Sequence, residues 1–190
     1  MKTIINLFII LSLFSCKKRF KPVTYENEYF ELTELNSKDT LFRISKSEFY
    51  EMGDDFAFIN RKGDTIISSD DIYYSFQDTI ITFGIVIKKE PQSLIGINRK
   101  GETLFEVYPY DNGPDEFHDG LLRIMKNGKI GFANEKGEII IKPQFECASI
   151  FENAIATVSN DCYLYYDQDG HLRSESESWF KIDKTGKRIK

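Results

Sequence analysis

The stretch "GKIGFANEKGEIIIKPQF", residues 128–145, carries the clearest structural signal in the chain. Apolar residues on both sides of "NEKG" predict two β-strands, and Pro143 limits the second of them. Asn134 fits the start of a type I turn, where a short polar side chain accepts a hydrogen bond from the backbone two residues on. Gly137 supplies the positive φ that closes such a turn. The stretch therefore predicts an antiparallel β-hairpin.

Four other stretches share this outline: "FAFINRKGDTII" (56–67), "LIGINRKGETLF" (94–105), "YLYYDQDGHLRS" (163–174) and "WFKIDKTGKRIK" (179–190). Their predicted turn residues are Asn60, Gly63, Asn98, Gly101, Asp167, Gly170, Asp183 and Gly186. The turn glycines recur at intervals of roughly 35 residues, with a last interval about half as long, and a fixed period of this size indicates a repeat architecture.

A second element recurs between the turns and completes the repeating unit. "FQDTII", "FHDGLLRI" and "FENAIATV" begin at Phe76, Phe117 and Phe151, and an earlier "LFRI" resembles "LLRI". A unit of about three strands cannot bury a core alone, so neighbouring units must stack. We predict an all-β fold of tandem antiparallel hairpins in a curved open array, with propeller-like closure as the alternative. The segment 159–186 holds two turn motifs in one repeat length and is interpreted as a C-terminal cap.

The stretch "IGFANEKGEIIIKPQFECASIFENAIATV" resembles the bacterial WG-repeat (also called KWG) family, whose unit has an aromatic-Gly pair, a turn with Gly, and "IKPQF" before Phe and a small residue. The matching positions are Ile130, Gly131, Phe132, Asn134, Gly137, Pro143, Phe145 and Phe151. In the other copies Ala57, Ile95 and Phe180 stand at the Gly place, the last after the one tryptophan, Trp179. The resemblance covers roughly residues 40–190 and implies a β-repeat array without characterised chemistry.

The N-terminus is predicted to be a lipoprotein signal peptide, residues 1–15. Lys2 precedes the apolar run "IINLFIILSLF", which is too short to span a bilayer. The following "LFSC" resembles a lipobox and predicts cleavage before Cys16 and lipid attachment to its thiol; a plain secretory peptide is the alternative. Residues 16–28 are interpreted as a basic tether and 29–190 as the repeat domain. We expect a lipid anchor in the envelope of a Gram-negative-type bacterium, facing the periplasm.

Composition excludes some classes of function. The formal net charge is −5 and the two signs are scattered, so the basic footprint of a nucleic-acid-binding protein is missing. Aromatic residues make up 14% of the chain, which favours a packed β protein over disorder.

Two cysteines, Cys147 and Cys162, remain after Cys16. Export permits a disulfide between them, and two buried thiols are the alternative. Two Cys and two His, widely spread, do not make a zinc pattern, so we predict no metal site.

No catalytic constellation is evident. His118 lies in the connector "FHDG" and His171 follows a turn glycine, and neither is spaced for pairing with a Ser or Cys nucleophile. The chain has no G-x-S-x-G, H-E-x-x-H or phosphate-loop motif. We predict a protein that is not an enzyme and needs no cofactor.

Two acidic loops are predicted to be turns rather than ion sites. In "YYDQDGHLRSES" Asp167 and Asp169 fit a calcium loop, but Tyr165 and Ser176 stand where carboxylates are needed. The loop "DNGPDE" (111–116) is predicted to be an exposed turn from its Asn-Gly-Pro content.

Tyrosines supply the candidate binding residues. Tyr108 and Tyr110 are spaced to share one strand face. The other groups are Tyr73 with Tyr74, and Tyr163 with Tyr165 and Tyr166. Stacking of a sugar or peptide competes with the ordinary use of aromatics in β cores. We predict a protein–protein interaction module, most simply with another envelope protein as partner, and a glycan or small-ligand binder that uses Tyr108 and Tyr110 is the alternative.

Overall fold

The computed structural model describes residues 40–47, 49–169 and 172–189. Every regular element in these ranges is a β-strand, so the predicted all-β class is confirmed. The predicted signal peptide, Cys16 and the tether lie outside the described residues, as do Gly170 and His171.

The strands in chain order are β1 (Leu41–Ser45), β2 (Phe56–Ile59), β3 (Thr65–Ser68), β4 (Ile72–Ser75), β5 (Thr79–Ile80), β6 (Phe83–Lys88), β7 (Ser93–Asn98), β8 (Thr103–Val107), β9 (Pro109–Tyr110), β10 (Gly113–Pro114), β11 (Leu121–Lys126), β12 (Lys129–Asn134), β13 (Ile139–Phe145), β14 (Cys147–Ala148), β15 (Ile155–Ser159), β16 (Tyr163–Tyr166), β17 (Leu172–Glu175), β18 (Phe180–Asp183) and β19 (Arg188–Ile189). Within the described chain they build four units of three antiparallel strands: β1-β2-β3, β6-β7-β8, β11-β12-β13 and β15-β18-β19.

The turns between the second and third strands of each unit share one hydrogen-bonding arrangement. In the third unit Oδ1 of Asn134 accepts hydrogen bonds from the backbone nitrogens of Lys136 (2.9 Å) and Glu138 (3.0 Å). Gly137, at φ 77°, donates its N–H to the carbonyl oxygen of Asn134. The same contacts are made at Asn60, Asn98 and Asp183, and the glycines Gly63, Gly101 and Gly186 also have positive φ. Local turn chemistry thus repeats four times.

The turn at Asp167 does not belong to this series. Strands β16 and β17 pair with each other and form a separate two-stranded sheet, whereas β15 pairs directly with β18, with Val158 opposite Phe180. The prediction of a repeat turn at Asp167 and Gly170 is therefore wrong in its placement: β16–β17 is inserted between the first two strands of the fourth unit. We call residues 161–177 the inserted hairpin.

The units stack as an open array. Pairing of β8 with β11 joins the second and third units in one seven-stranded sheet, and short connector strands extend the first and fourth units. None of the sheets formed by the described residues closes on itself, and the core clusters join each unit to the next without joining the fourth to the first, so the array is open.

The hydrophobic core lies between neighbouring units rather than inside each one. Adjacent residues of a first strand face opposite neighbours: Val86 packs in the core shared with the first unit, and Ile85 in the core shared with the third. The core between the third and fourth units contains Leu121, Ile130, Phe132, Ile141, Phe145, Ala148, Phe151, Ala156, Val158 and Ile182. Stacking therefore supplies the burial that a single unit lacks.

Gly131 has a steric role that the other units do not share. Ile130 pairs with Phe145 and Phe132 with Ile141, so Lys142, Pro143 and Gln144 bulge over Gly131. A Cβ at Gly131 would meet the backbone of this bulge, with the nitrogen of Pro143 at 2.5 Å. In the first two units the third strand pairs directly at the equivalent place, which holds Ala57 and Ile95. The glycine is needed where the bulge crosses.

Gly131→Ala should therefore lower the free energy of unfolding by about 1–3 kcal/mol, because the backbone of the bulge must shift to admit a methyl group. Urea denaturation measures the change. Gly113→Ala is the matched control: a Cβ there meets nothing within 4 Å and φ is not positive, so we expect less than about 0.5 kcal/mol. Equal effects of the two substitutions would contradict the steric role of the bulge.

Candidate functional site

Among the described residues, the inserted hairpin exposes the largest group of apolar side chains that are consecutive in the sequence. Tyr163, Leu164 and Tyr165 are 58%, 53% and 42% exposed. The rings of Tyr163 and Tyr165 lie 6.0 Å apart on one face, where Glu175 and Arg173 are their cross-strand partners. The Tyr163 hydroxyl donates a hydrogen bond to Oε2 of Glu175 at 2.6 Å, which raises the pKa of this tyrosine. The face is aromatic with a charged margin.

Two features fix the base of the inserted hairpin to the fourth unit. A disulfide joins Cys162 to Cys147 of β14, with 5.8 Å between their Cα atoms. Asp161 accepts hydrogen bonds at Oδ1 from the hydroxyls of Ser178, Ser176 (2.7 Å) and Ser159 (2.9 Å), and these hydrogen bonds lower the pKa of its carboxyl. The hairpin is therefore held at a defined orientation, which reduces the ordering cost of binding.

The inserted hairpin is an acidic segment. The inserted hairpin contains five acidic residues (Asp161, Asp167, Asp169, Glu175 and Glu177) and one basic residue, Arg173. It therefore has a formal net charge of −4, out of −5 for the whole sequence. The connector 111–119 has the same net charge, with four acidic residues and no Lys or Arg, so acidic segments occur in more than one unit.

Tyr108 and Tyr110 both lie near one cation, Arg123. The guanidinium carbon of Arg123 is 4.3 Å from the ring centre of Tyr108 and 5.9 Å from that of Tyr110. Tyr108 is half-buried against the core of the third and fourth units, and Tyr110 is 62% exposed. Arg123 therefore makes cation–π contacts with both rings, and Tyr110 keeps an exposed surface.

Arg123 also forms a buried ion pair that the sequence did not indicate. Its Nε and Nη2 donate hydrogen bonds to the two carboxylate oxygens of Asp115 at 2.9 and 2.7 Å, and Nη1 donates to the carbonyl oxygen of Ala148 at 3.1 Å. Arg123 and Asp115 are 8% and 4% exposed. The prediction that 111–116 is an exposed turn is therefore wrong at Asp115.

Comparison with known protein families identifies one stretch of the chain. Residues 130–161 match the family model described as the WG containing repeat. This stretch is a WG repeat. It comprises β12 to β15, so the WG repeat as matched begins in the third unit and ends after the first strand of the fourth. Searches of curated proteins and of solved structures found no significant match.

His118 lies in the connector that precedes the WG repeat. His118 is half-buried, and its backbone pairs with that of Leu121 around a tight turn of Asp119 and Gly120. Asp119 accepts a hydrogen bond from the nitrogen of Ala154, in the corresponding turn of the next unit, at 2.7 Å. The connector turns thus contribute to stacking of the WG repeat on its neighbour.

The side chain of Asp167 makes its contacts within its own hairpin. Asp167 accepts hydrogen bonds from the nitrogen of Asp169 at 3.0 Å and from Nε of Arg173 at 2.7 Å, contacts that belong to a hairpin turn. Among the described residues no group of three or more His, Cys, Asp or Glu side chains is placed to hold a metal ion.

The described ranges contain no helix long and apolar enough to cross a membrane.

Proposed function

We propose that the chain is a non-enzymatic, lipid-anchored protein of the cell envelope whose inserted hairpin binds another protein. The observation that carries this proposal is the combination of an exposed aromatic face and a net charge of −4 on one anchored element. The rings of Tyr163 and Tyr165 on this face supply buried area on association, while the charges select the partner.

The chemistry of the hairpin defines the partner. Both outer edges of the β16–β17 sheet are unpaired within the described chain, so an extended segment can add to it as a further strand. A net charge of −4 favours a basic segment, because complementary potentials speed association and exclude acidic competitors. The partner is therefore expected to present a basic, extended segment.

The third unit has a two-residue turn at the place where the fourth unit has the inserted hairpin, and this turn can replace the hairpin. Asn127 and Gly128 join β11 to β12 in the third unit, at the place where the inserted hairpin joins β15 to β18. A variant in which residues 161–177 are replaced by Asn-Gly, together with Cys147→Ala, removes the hairpin and leaves the four-unit array. The cysteine is replaced because its disulfide partner is lost.

Crosslinking in living cells followed by mass spectrometry tests the proposal. The full-length protein should yield one dominant envelope partner, crosslinked through a lysine-rich or arginine-rich segment, and recovery should fall about tenfold or more in the hairpin-free variant. The triple variant Asp169→Asn, Glu175→Gln, Glu177→Gln should weaken recovery in a salt-sensitive way. Glu106→Gln, Glu116→Gln, Glu135→Gln removes the same charge from exposed positions elsewhere and should have no effect.

Two results would contradict the proposal at different levels. Full recovery of the partner by the hairpin-free variant would show that another surface binds it. Absence of any partner above background for the unmodified protein would overturn the interaction-module function itself.

A further inference from the structure

Twice within the described chain, an arginine lies against a tyrosine ring and is ion-paired with a carboxylate. The guanidinium carbon of Arg43 is 3.4 Å from the ring centre of Tyr50, and its Nη2 is paired with Asp78. Arg123 is held in the same way, against the ring of Tyr108 and beside the buried carboxylate described above. The ring attracts the cation through its π face, while the carboxylate neutralises the charge. A tyrosine with a neighbouring carboxylate is therefore an arginine-holding arrangement in this fold.

The inserted hairpin presents the same groups on one face. The ring centres of Tyr163 and Tyr165 lie 6.0 Å apart, and the Tyr163 hydroxyl is 2.6 Å from Oε2 of Glu175. The strand register places all three side chains on the same side of the β16–β17 sheet. The arginine–ring contacts among the described residues all involve other aromatic residues. The described chain therefore places no cation of its own over these two rings.

Arg173 is the basic residue of this face, and its charge is offset within the hairpin. It lies opposite Tyr165 in the strand register, and its Nε donates a hydrogen bond to Oδ2 of Asp167 at 2.7 Å. The rings of Tyr163 and Tyr165, 58% and 42% exposed, can therefore be reached by a cation from another molecule.

The face is ordered before any ligand arrives. The hydrogen bond from Tyr163 orients the carboxylate of Glu175, and the disulfide at Cys162 holds the base of β16. Both features lower the ordering cost of binding. Among cations, a guanidinium suits this face best, because its planar group stacks on aromatic rings and donates paired hydrogen bonds to a carboxylate.

We propose that Tyr163, Tyr165 and Glu175 form a binding site for an arginine side chain, with the guanidinium against the two rings and hydrogen-bonded to the carboxylate. This inference rests on the proposed function, because the arginine is supplied by the basic segment that adds to the hairpin as a strand. Alternate residues of such a strand point to one face of the sheet. The site therefore selects segments with arginine at alternate positions.

Fluorescence polarisation with short labelled peptides gives a direct test. The peptides alternate threonine with arginine, with lysine or with citrulline, which has the shape of arginine without its charge. The arginine peptide should bind about tenfold more tightly than the citrulline peptide and about threefold more tightly than the lysine peptide of equal charge. Equal affinity for arginine and lysine would reduce the contact to net charge and overturn the site, as would no binding of the arginine peptide.

Substitutions of the tyrosines separate the rings from their hydroxyls. Tyr163→Phe with Tyr165→Phe keeps both rings and should change the affinity for the arginine peptide by no more than about twofold, whereas Leu at both positions should weaken it about tenfold. Glu175→Gln should weaken it about fivefold, because the ionic hydrogen bond is lost. Tyr110→Leu, at another exposed tyrosine, is the control and should have no effect. Equal losses in the Phe and Leu variants would show that the rings do not hold the cation.

Crosslinking in living cells distinguishes this site from the function on which it rests. The double Leu variant, with its fold checked by circular dichroism, should recover less of the envelope partner than the double Phe variant. Full recovery by the double Leu variant together with loss in the hairpin-free variant would refute the arginine site and leave the hairpin as the binding element. Full recovery by the hairpin-free variant would contradict the proposed function itself.

Discussion

Asp115→Ala should lower the free energy of unfolding by about 3–5 kcal/mol, because it leaves the guanidinium of Arg123 buried without its counter-charge. The carboxylate accepts three hydrogen bonds from Arg123, two from the side chain and one from the backbone nitrogen at 3.2 Å. After the substitution the guanidinium keeps the carbonyl oxygen of Ala148 and the ring of Tyr108. Neither replaces a negative charge. Urea denaturation followed by circular dichroism measures the loss.

Two controls make this prediction specific. Lys129 pairs with Glu146, and their side chains are 40% and 38% exposed, so Glu146→Ala leaves a solvated cation and should cost only about 1 kcal/mol or less. Adding Arg123→Met to Asp115→Ala should restore much of the stability, because an apolar side chain has no charge to leave unpaired. A cost for Asp115→Ala no larger than that for Glu146→Ala would show that burial of the pair is not what matters.

The sequence shows the repeated arginine of this ion pair but not its carboxylate partner. "LFRI" and "LLRI" place Arg43 and Arg123 at one position of the first and third units, and in the structure each has a carboxylate and a tyrosine beside it. The repeated motif is visible in the sequence, but the burial of Asp115 is not. Burial depends on Tyr108 and Ala148, which come from separate connectors and meet only when the units stack.

The turns and the repeat could be predicted because they depend on local chemistry. An Asn or Asp followed three residues later by Gly specifies its own hydrogen bonds in every unit. Stacking followed from the small size of the unit, which cannot bury a core alone. The need for Gly131 could not be predicted, since it depends on the bulge at Pro143 that crosses it.

The inserted hairpin shows where this local reasoning fails. Its turn at Asp167 has the same side-chain contact as a repeat turn, since Oδ1 accepts from the nitrogen two residues on. Sequence pattern alone cannot separate the two kinds of turn. The distinction comes from pairing between β15 and β18, strands separated by the whole insertion. The short spacing of the last two glycines was the available signal.

Phe132→Ala should also lower the free energy of unfolding by about 3–5 kcal/mol, because it empties the centre of the core between the third and fourth units. Phe132 is 0% exposed, and its ring centre lies 4.7 Å from that of Phe151. Ala156, Val158 and Ile182 of the fourth unit belong to the same cluster. Ile140→Ala, on β13 of the same unit and 43% exposed, is the matched control and should cost less than about 1 kcal/mol.

Phe132→Ala should also change the order in which the units unfold. In a stacked array stability is the sum of each unit's own stability and of the interfaces between neighbours, so weakening one interface releases the units beyond it first. Trp179 reports on the fourth unit alone, whereas circular dichroism reports on all four. In Phe132→Ala the tryptophan transition should therefore move to lower urea than the circular dichroism transition, while the two coincide in Ile140→Ala. Coincident transitions in both variants would mean that the four units unfold as one cooperative body despite the damaged interface.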